Sequence, residues 1–191
     1  NAFARTNMKQ FIKNTIKKII QKLTTLLSST KVGRLVNEVI VNDVMNRVQE
    51  MEHNGLRMKF TVPNSLNRFR IESFSTKEPE TLEWLDTLPE GGTLWDIGAN
   101  VGLYSIYAAK KKNCRVVAFE PSVFNLELLA RNLFMNNMQD LVTVAPFALS
   151  DGLGASLMRM TTTEWGGTLS TFGKEVGWDG GSIKEVLPFK R

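Results

Sequence analysis

From Thr93 onward, short apolar runs alternate with longer segments whose apolar residues recur at helical spacing. The first two runs, TLWDI and RVVAFE, consist mainly of branched and aromatic residues, as is typical of strands buried on both faces. The segment between them, GLYSIYAAKKK, is long enough for the helical crossover that parallel strands need. A second helical segment and a third apolar run follow, VFNLELLARNLFMNN and LVTVAPFAL. The alternation predicts an α/β fold with a parallel sheet flanked by helices.

The segment WDIGANVGLYS joins the first predicted strand to the helix after it. Gly98 permits a tight turn with a positive φ angle, and Gly102 lets the helix approach the strand closely. In an open α/β sheet the ligand lies beyond the carboxyl ends of the strands, which is where this turn falls. The turn is therefore the predicted binding site.

The residues of this turn discriminate between nucleotide ligands. A dinucleotide fingerprint needs a glycine where Asn100 stands, and a P-loop needs a Gly-Lys-Ser or Gly-Lys-Thr sequence that does not follow here. Asp96 is also an unfavourable neighbour for phosphates. A cationic amine near Asp96, a carboxylate near the helix start and a nucleoside beyond it fit better, and S-adenosylmethionine has these three parts. A nicotinamide-dependent oxidoreductase is the disfavoured alternative.

The second predicted strand ends in Phe119-Glu120-Pro121. An acid at the tip of the neighbouring strand can accept hydrogen bonds from both hydroxyls of a ribose. Glu120 therefore supports a nucleoside ligand, and the first turn decides which one.

Three segments carry a resemblance to a known family. WDIGANVGLYSIYAA, VVAFEPSVFNLELLARNL and VAPFALSD resemble successive motifs of the FkbM family of S-adenosylmethionine-dependent methyltransferases, and KEPETLEWLD resembles its lead-in. The resemblance covers residues 56–191. It implies a class I methyltransferase fold, which is Rossmann-like, and O-methylation of a sugar, polyketide or other small metabolite.

The same resemblance implies a set of cofactor-binding residues. By the part of the cofactor that they are expected to contact, they are Asp96, Gly98, Asn100 and Gly102 for the methionine side, Glu120 for the ribose, Ser122 and Asn125 for the ribose or adenine, Ala148 and Ser150 for the adenine, and Glu80 and Thr81 for the amino-acid end. No catalytic residue can be named. The single histidine, His53, is interpreted as a residue at a helix end.

Members of that family continue into a further strand with an acidic Asp-x-Glu-Gly motif, which this sequence does not contain. That strand normally lies beside the first strand, so without it TLWDI has an unpaired apolar edge, which favours aggregation. We therefore expect the 191 residues to belong to a longer enzyme.

Residues 1–55 are predicted to form a basic helical extension, and residues 56–191 the cofactor-binding domain. FIKNTIKKIIQKLTTLL has its isoleucines and leucines on one stripe with lysines off it, which predicts an amphipathic helix. A second helix is predicted over VGRLVNEVIVNDVMNRVQEM, ending near Asn54-Gly55. Beyond it, LRMKFTVPN and RFRIESFS are predicted to form an antiparallel β-hairpin, followed by a short helix in KEPETLEWLDTLPEGG.

Eight basic residues precede Glu38, the first acidic residue, and the rest of the chain has 16 basic and 19 acidic residues. The net charge of +5 therefore originates in this extension. The charge is therefore no argument that the main domain binds nucleic acid. The two helices are predicted either to pack on each other or on the main domain, or to bring residues 9–27 into peripheral contact with anionic lipid. A non-catalytic nucleoside-binding module that the basic helix tethers to a membrane surface is therefore the second alternative function. We expect a cytoplasmic protein with a small-molecule acceptor. Cys114, the single cysteine, excludes an internal disulfide and a cysteine-cluster metal site, and no metal is predicted.

Overall fold

The computed structural model describes residues 2–150, 152, 158–168 and 171–172. The chain divides into two compact units, Asn1–Met45 and Asn46–Arg191. The division lies before the predicted boundary at residue 55, because residues 48–53 form a strand and not the end of a helix. None of the helices in the described part of the chain has the length and apolar character that a membrane span requires.

The first unit consists of helices α1 (Ala2–Ser28) and α2 (Lys31–Met45). The hydroxyl of Thr30 accepts a hydrogen bond from the backbone N–H of Gly33 (2.9 Å), which caps the start of α2. A Cβ atom at Gly33 would lie 1.7 Å from the carbonyl oxygen of Leu27, so only glycine allows the two helices to meet at this turn. The predicted helix in residues 11–27 is confirmed.

Strands β1 (Val48–His53) and β2 (Leu56–Thr61) form an antiparallel hairpin in the second unit. Its two-residue turn is Asn54-Gly55, and both residues have positive φ angles (48° and 77°), as a type I′ turn requires. The predicted second helix is confirmed over residues 32–45, but the prediction that it continues to Asn54-Gly55 was wrong. An Asn-Gly pair between two alternating segments is a strong hairpin signal, and here it outweighs the helical spacing of the valines before it.

Helix α3 (Ser65–Glu72) occupies the segment predicted as the second strand of the hairpin, so that prediction was also wrong. Asn64 caps α3 by accepting a hydrogen bond from the backbone N–H of Asn67 (2.9 Å). Asn64-Ser65 thus starts a helix and does not turn a hairpin. The short helix α4 (Phe74–Lys77) follows, and then α5 (Pro79–Asp86), which confirms the helix predicted from Pro79 and its leucines.

The strand–helix alternation from Thr93 is confirmed. It comprises β3 (Thr93–Ile97), α6 (Leu103–Lys112), β4 (Arg115–Phe119), α7 (Val123–Met135) and β5 (Val142–Ala145). The three strands form a parallel sheet in the order β3-β4-β5. The predicted α/β architecture, a parallel sheet flanked by helices, is thus confirmed for the described residues. The third strand is shorter than predicted, and Ala148 and Ser150 lie beyond it.

The core of the second unit lies between the hairpin, the helices and the sheet, and it includes Met58, Phe60, Ile106 and Leu129. Among the described strands β3 pairs with β4 alone, and its residues Trp95 and Ile97 are exposed.

Buried asparagines join α7 to the hairpin. Asn132 Oδ1 accepts from the backbone N–H of Thr61 (2.8 Å), and its Nδ2 donates to the carbonyl of Val101 (2.8 Å). One side chain thereby satisfies backbone groups of β2 and of the turn after β3.

Two short strands, β6 (Met158–Arg159) and β7 (Thr171–Phe172), pair antiparallel. The sequence predicts strands in ASLMRM and IKEVLPFK. Residues 158–159 of the first form β6, while residues 155–157 and IKEVLPFK lie outside the described residues. Residues 165–168, between these strands, contribute to the site described next.

Candidate functional site

The turn between β3 and α6 has a positive φ angle at every second residue. Gly98, Asn100 and Gly102 have φ angles of 84°, 52° and 86°, all in the left-handed region. The N–H groups of Gly98 and Ala99 both donate to the carbonyl of Phe119 at the end of β4 (2.9 and 3.0 Å). The turn is therefore anchored to the neighbouring strand, and it brings the carboxyl ends of β3 and β4 together.

Gly102 combines a positive φ angle with a close approach of Leu129 from α7. A Cβ atom at this position would be 2.5 Å from Cδ1 of Leu129. At Gly98, by contrast, no atom of the described residues beyond its chain neighbours lies within 4 Å of the position of a Cβ atom, so glycine is favoured there by the positive φ angle and not by packing.

Glu120 follows β4 directly and is 5% exposed. Its Oε2 accepts from the backbone N–H of Asn100 and its Oε1 from that of Ser122, both at 2.8 Å. Burial raises the pKa of Glu120, and these hydrogen bonds oppose the increase. Each carboxylate oxygen can accept a further hydrogen bond, so the group is oriented and still able to bind a pair of hydroxyls.

Asp96 lies in β3, one residue before its end. The hydroxyl of Ser105, in the first turns of α6, donates to Asp96 Oδ2 (2.5 Å) and fixes the carboxylate. Burial raises the pKa of Asp96, against the effect of the hydrogen bonds from Ser105. The site thus holds two desolvated carboxyl groups at neighbouring strand ends, and the charge of Asp96 also raises the pKa of Glu120.

A wall of the site comes from α3 and the segment between α4 and α5. Arg70 of α3 is half-buried, and Glu78 accepts a hydrogen bond from the hydroxyl of Tyr104 (2.9 Å). Lys77 forms an ion pair with Glu78 (3.2 Å). The hydrogen bond from Tyr104 is the main reason that the pKa of Glu78 is lowered.

The segment Trp165–Thr168, which we call the strap, lies across the turn after β3. Its carbonyls accept hydrogen bonds from two sides. Asn64 and Asn67 donate to Trp165 O, Arg70 donates to Gly166 O, and Asn100 and Asn125 donate to Gly167 O. The backbone N–H of Gly166 donates to Asn125 Oδ1 (3.0 Å). The strap is thereby fixed between α3 and the ends of the strands.

Two neighbouring cavities open at the ends of β3 and β4. The first, of about 290 Å³, is lined by residues that include Asp96, Arg70, Glu78 and Tyr104. The second, of about 180 Å³, is lined by residues that include Glu120, Ser122 and Asn125. Both are also lined by Gly98, Asn100 and Thr168.

Of the residues expected at a cofactor site, six line these cavities: Asp96, Gly98, Asn100, Glu120, Ser122 and Asn125. Gly102 lies beneath the turn against Leu129. Glu80, Thr81, Ala148 and Ser150 line neither cavity.

His53 lies in β1 and not at a helix end, and its Nδ1 is 2.7 Å from the hydroxyl of Ser75. It lines neither cavity.

Sequence reasoning missed Arg70, Glu78 and most of the strap. Because the alternation in RFRIESFS predicts a strand, it conceals the i, i+3 spacing by which Asn67 and Arg70 of α3 both reach the strap. The cap signal of Asn64, three residues before Asn67, could have revealed the helix.

Comparison with known proteins gives partial matches. Methyltransferase sdnD of Sordaria araneosa is 35% identical over 68 residues, which are 35% of this chain. The match spans 26% of the length of that curated relative. No protein-family model matches the chain, so the resemblance to the FkbM family stays a prediction.

Among solved structures, TYW2 of P. horikoshii in complex with MeSAdo is 18% identical with a TM-score of 0.40, over 56% of this chain and 39% of that one. An RNA methyltransferase of Salinibacter ruber in complex with S-adenosyl-L-homocysteine is 26% identical with a TM-score of 0.35, over 39% of this chain and 48% of that one. These TM-scores describe a partial likeness.

Proposed function

We propose that the protein is an S-adenosylmethionine-dependent methyltransferase with the class I fold, and that it methylates a hydroxyl of a sugar, polyketide or other small metabolite. The observation that carries the proposal is the pair of carboxyl groups, Asp96 and Glu120, at the ends of two neighbouring parallel strands and on two adjoining cavities. The likeness to a curated methyltransferase over 68 residues supports it.

A buried acceptor atom of Asn100 supports the fit between these cavities and the cofactor. Asn100 lines both cavities, and its Oδ1 is buried with no hydrogen-bond partner among the described residues. A buried acceptor without a donor is costly, and the amine or a ribose hydroxyl of the cofactor supplies a donor. Asn100 also obstructs the close approach of a pyrophosphate, which disfavours the nicotinamide alternative.

Each residue has a defined role in the proposal. Asp96 attracts the cationic amine of the cofactor, Glu120 accepts from the ribose hydroxyls, and Ser122 and Asn125 border the nucleoside. When bound, the sulfonium of S-adenosylmethionine supplies an activated methyl group for an in-line displacement. The protein then has to orient the acceptor and remove its proton. We keep Glu80, Thr81, Ala148 and Ser150 as candidates for contacts with the two ends of the cofactor.

Calorimetric titration of the full-length protein with S-adenosylhomocysteine tests the proposal. We expect binding that weakens about 10- to 100-fold in Asp96→Ala and in Glu120→Ala, because each removes a charged hydrogen-bonding partner. Glu127→Ala is the matched control, since Glu127 is an exposed acid of α7 paired with Arg131. Binding of NAD in preference to S-adenosylhomocysteine, or equal affinities in all variants, would contradict the proposal.

We also propose that residues 9–27 contact an anionic membrane surface. The apolar stripe of α1 is exposed, Ile16 by 51% and Leu23 by 55%, and lysines flank it on both sides at Lys13 and Lys22. Vesicles containing phosphatidylserine should bind the protein and lose it at high salt, or when both lysines are replaced by glutamine. Equal binding to neutral and anionic vesicles, or to none, would exclude this contact.

A further inference from the structure

Arg70 is a half-buried cation in the wall of the first cavity. Its Nε and Nη2 donate to one acceptor, the carbonyl of Gly166 in the strap (3.0 and 2.5 Å). A guanidinium has five N–H donors in a fixed plane. Nη1 of Arg70 therefore has donors to spare, with no acceptor for them among the described residues.

The carboxylates around Arg70 are already engaged. Glu78 is paired with Lys77 (3.2 Å) and accepts from Tyr104, and Glu120 accepts from two backbone N–H groups. No carboxylate of the described residues lies within ion-pair distance of Arg70. Burial lowers the pKa of Arg70, and the charges of Glu120 and Glu78 oppose the decrease. A desolvated cation without a paired anion is unfavourable, so an anion that enters this cavity gains from the contact.

The same cavity is also lined by groups of the complementary character. Asp96 and the unpartnered Oδ1 of Asn100 are hydrogen-bond acceptors. A cavity lined by both a cation and hydrogen-bond acceptors matches the chemistry of an α-amino acid, which carries a carboxylate and an ammonium group. The backbone N–H groups of Gly98, Ala99 and Asn100 are bonded to Phe119 and Glu120, so the turn itself does not offer them to that carboxylate.

We propose that Arg70 binds the carboxylate of the amino-acid end of the cofactor while it holds the strap by the carbonyl of Gly166. This inference rests on the proposed function. It assigns to α3 a contact that the strand ends do not make, and it commits the first cavity to the amino-acid end and the second to the nucleoside.

The test compares two ligands that differ by one carboxylate. S-adenosylhomocysteine and its decarboxylated analogue, S-adenosyl-3-thiopropylamine, share the amine, the thioether and the nucleoside. We expect the wild-type full-length protein to bind S-adenosylhomocysteine about 10- to 100-fold more tightly. In Arg70→Gln that preference should fall to about threefold or less, while the affinity for the analogue changes little. Arg70→Lys keeps the charge without the planar fork and should retain part of the preference.

A matched control separates this contact from support of the strap. Asn64→Asp removes the donor to Trp165 O and keeps the oxygen that caps α3, and Asn64 lines neither cavity. It should leave the preference between the two ligands unchanged.

Each outcome decides something. Three results would overturn the inference: the wild type has no preference between the ligands, Arg70→Gln keeps the full preference, or Arg70→Gln loses affinity equally for both ligands. An equal loss would mean that Arg70 acts only by holding the strap. If the wild type binds neither ligand, the proposed function fails first. The comparison of ligands in the wild type stands even if Arg70→Gln does not fold.

Discussion

Helices α1 and α7 are both amphipathic, yet their apolar side chains have opposite environments. On α1, Ile16 and Leu23 are exposed by 51% and 55%, whereas on α7, Leu128 and Leu129 are completely buried. The spacing of the apolar residues is helical in both, so the difference does not come from the helices themselves.

The difference lies in the polar residues and in what they bond. The polar face of α1 carries lysines, while α7 carries Asn132 and Asn136, whose amides bond the backbone of β2. This pair of asparagines fixes α7 against the edge of β2 that does not pair with β1, and the leucines beside the pair become part of the core. A lysine face has no such partner and keeps its helix at a water or lipid boundary. Helical periodicity therefore predicts a helix, but not what covers it.

The substitutions with the largest expected difference in stability test the contrast between α1 and α7 directly. Leu128→Ala should lower the free energy of unfolding by about 3 kcal/mol, because it leaves a cavity in a close-packed core. Leu23→Ala, the same substitution on α1, should change it by less than about 0.5 kcal/mol. Chemical denaturation of both variants measures the two values, and similar losses would show that the stripe of α1 is covered after all.

A smaller effect sharpens the role of α7 at the site. Gly102→Ala puts a Cβ atom 2.5 Å from Leu129 and forces a positive φ angle on alanine, and we expect a loss of about 3 kcal/mol or slightly less. Gly98→Ala has the same backbone strain with open space around it, so about 1 kcal/mol is expected. Thermal melts of the pair would refute the role of Leu129 if both variants lost the same stability.

The third prediction, with the smallest expected loss of stability, concerns the pair of asparagines on α7. Asn132→Ala leaves the N–H of Thr61 and the carbonyl of Val101 buried without partners and should cost about 2 kcal/mol. Asn42→Ala, at an exposed position of α2, is the control and should change the stability by less than about 0.5 kcal/mol. Hydrogen exchange at the backbone N–H of Thr61 should become faster in Asn132→Ala alone. Unchanged protection there would contradict the hydrogen bond from Thr61 to Asn132.

The site shows the same division between what is local in the sequence and what is not. Asp96, Gly98, Asn100 and Glu120 could be found from the sequence because each stands next to a strand with an unmistakable apolar run. Arg70 and the strap could not, because Arg70 and Gly166 are 96 residues apart and neither lies in a motif. The two misassigned segments, 48–53 and 65–72, failed for a related reason: short segments carry both helical and alternating spacing, and a single turn residue decides between them.

By itself, the sequence determined the order of strands and helices from Thr93 onward, the glycines of the turn after β3 and the acids at two strand ends, since periodicity and turn chemistry depend on neighbouring residues. Only the tertiary structure decided which helix is buried, and that α3 and the strap complete the wall around Asp96 and Glu120. Those outcomes depend on contacts between distant segments, and such contacts exist only once the sheet has brought the segments together.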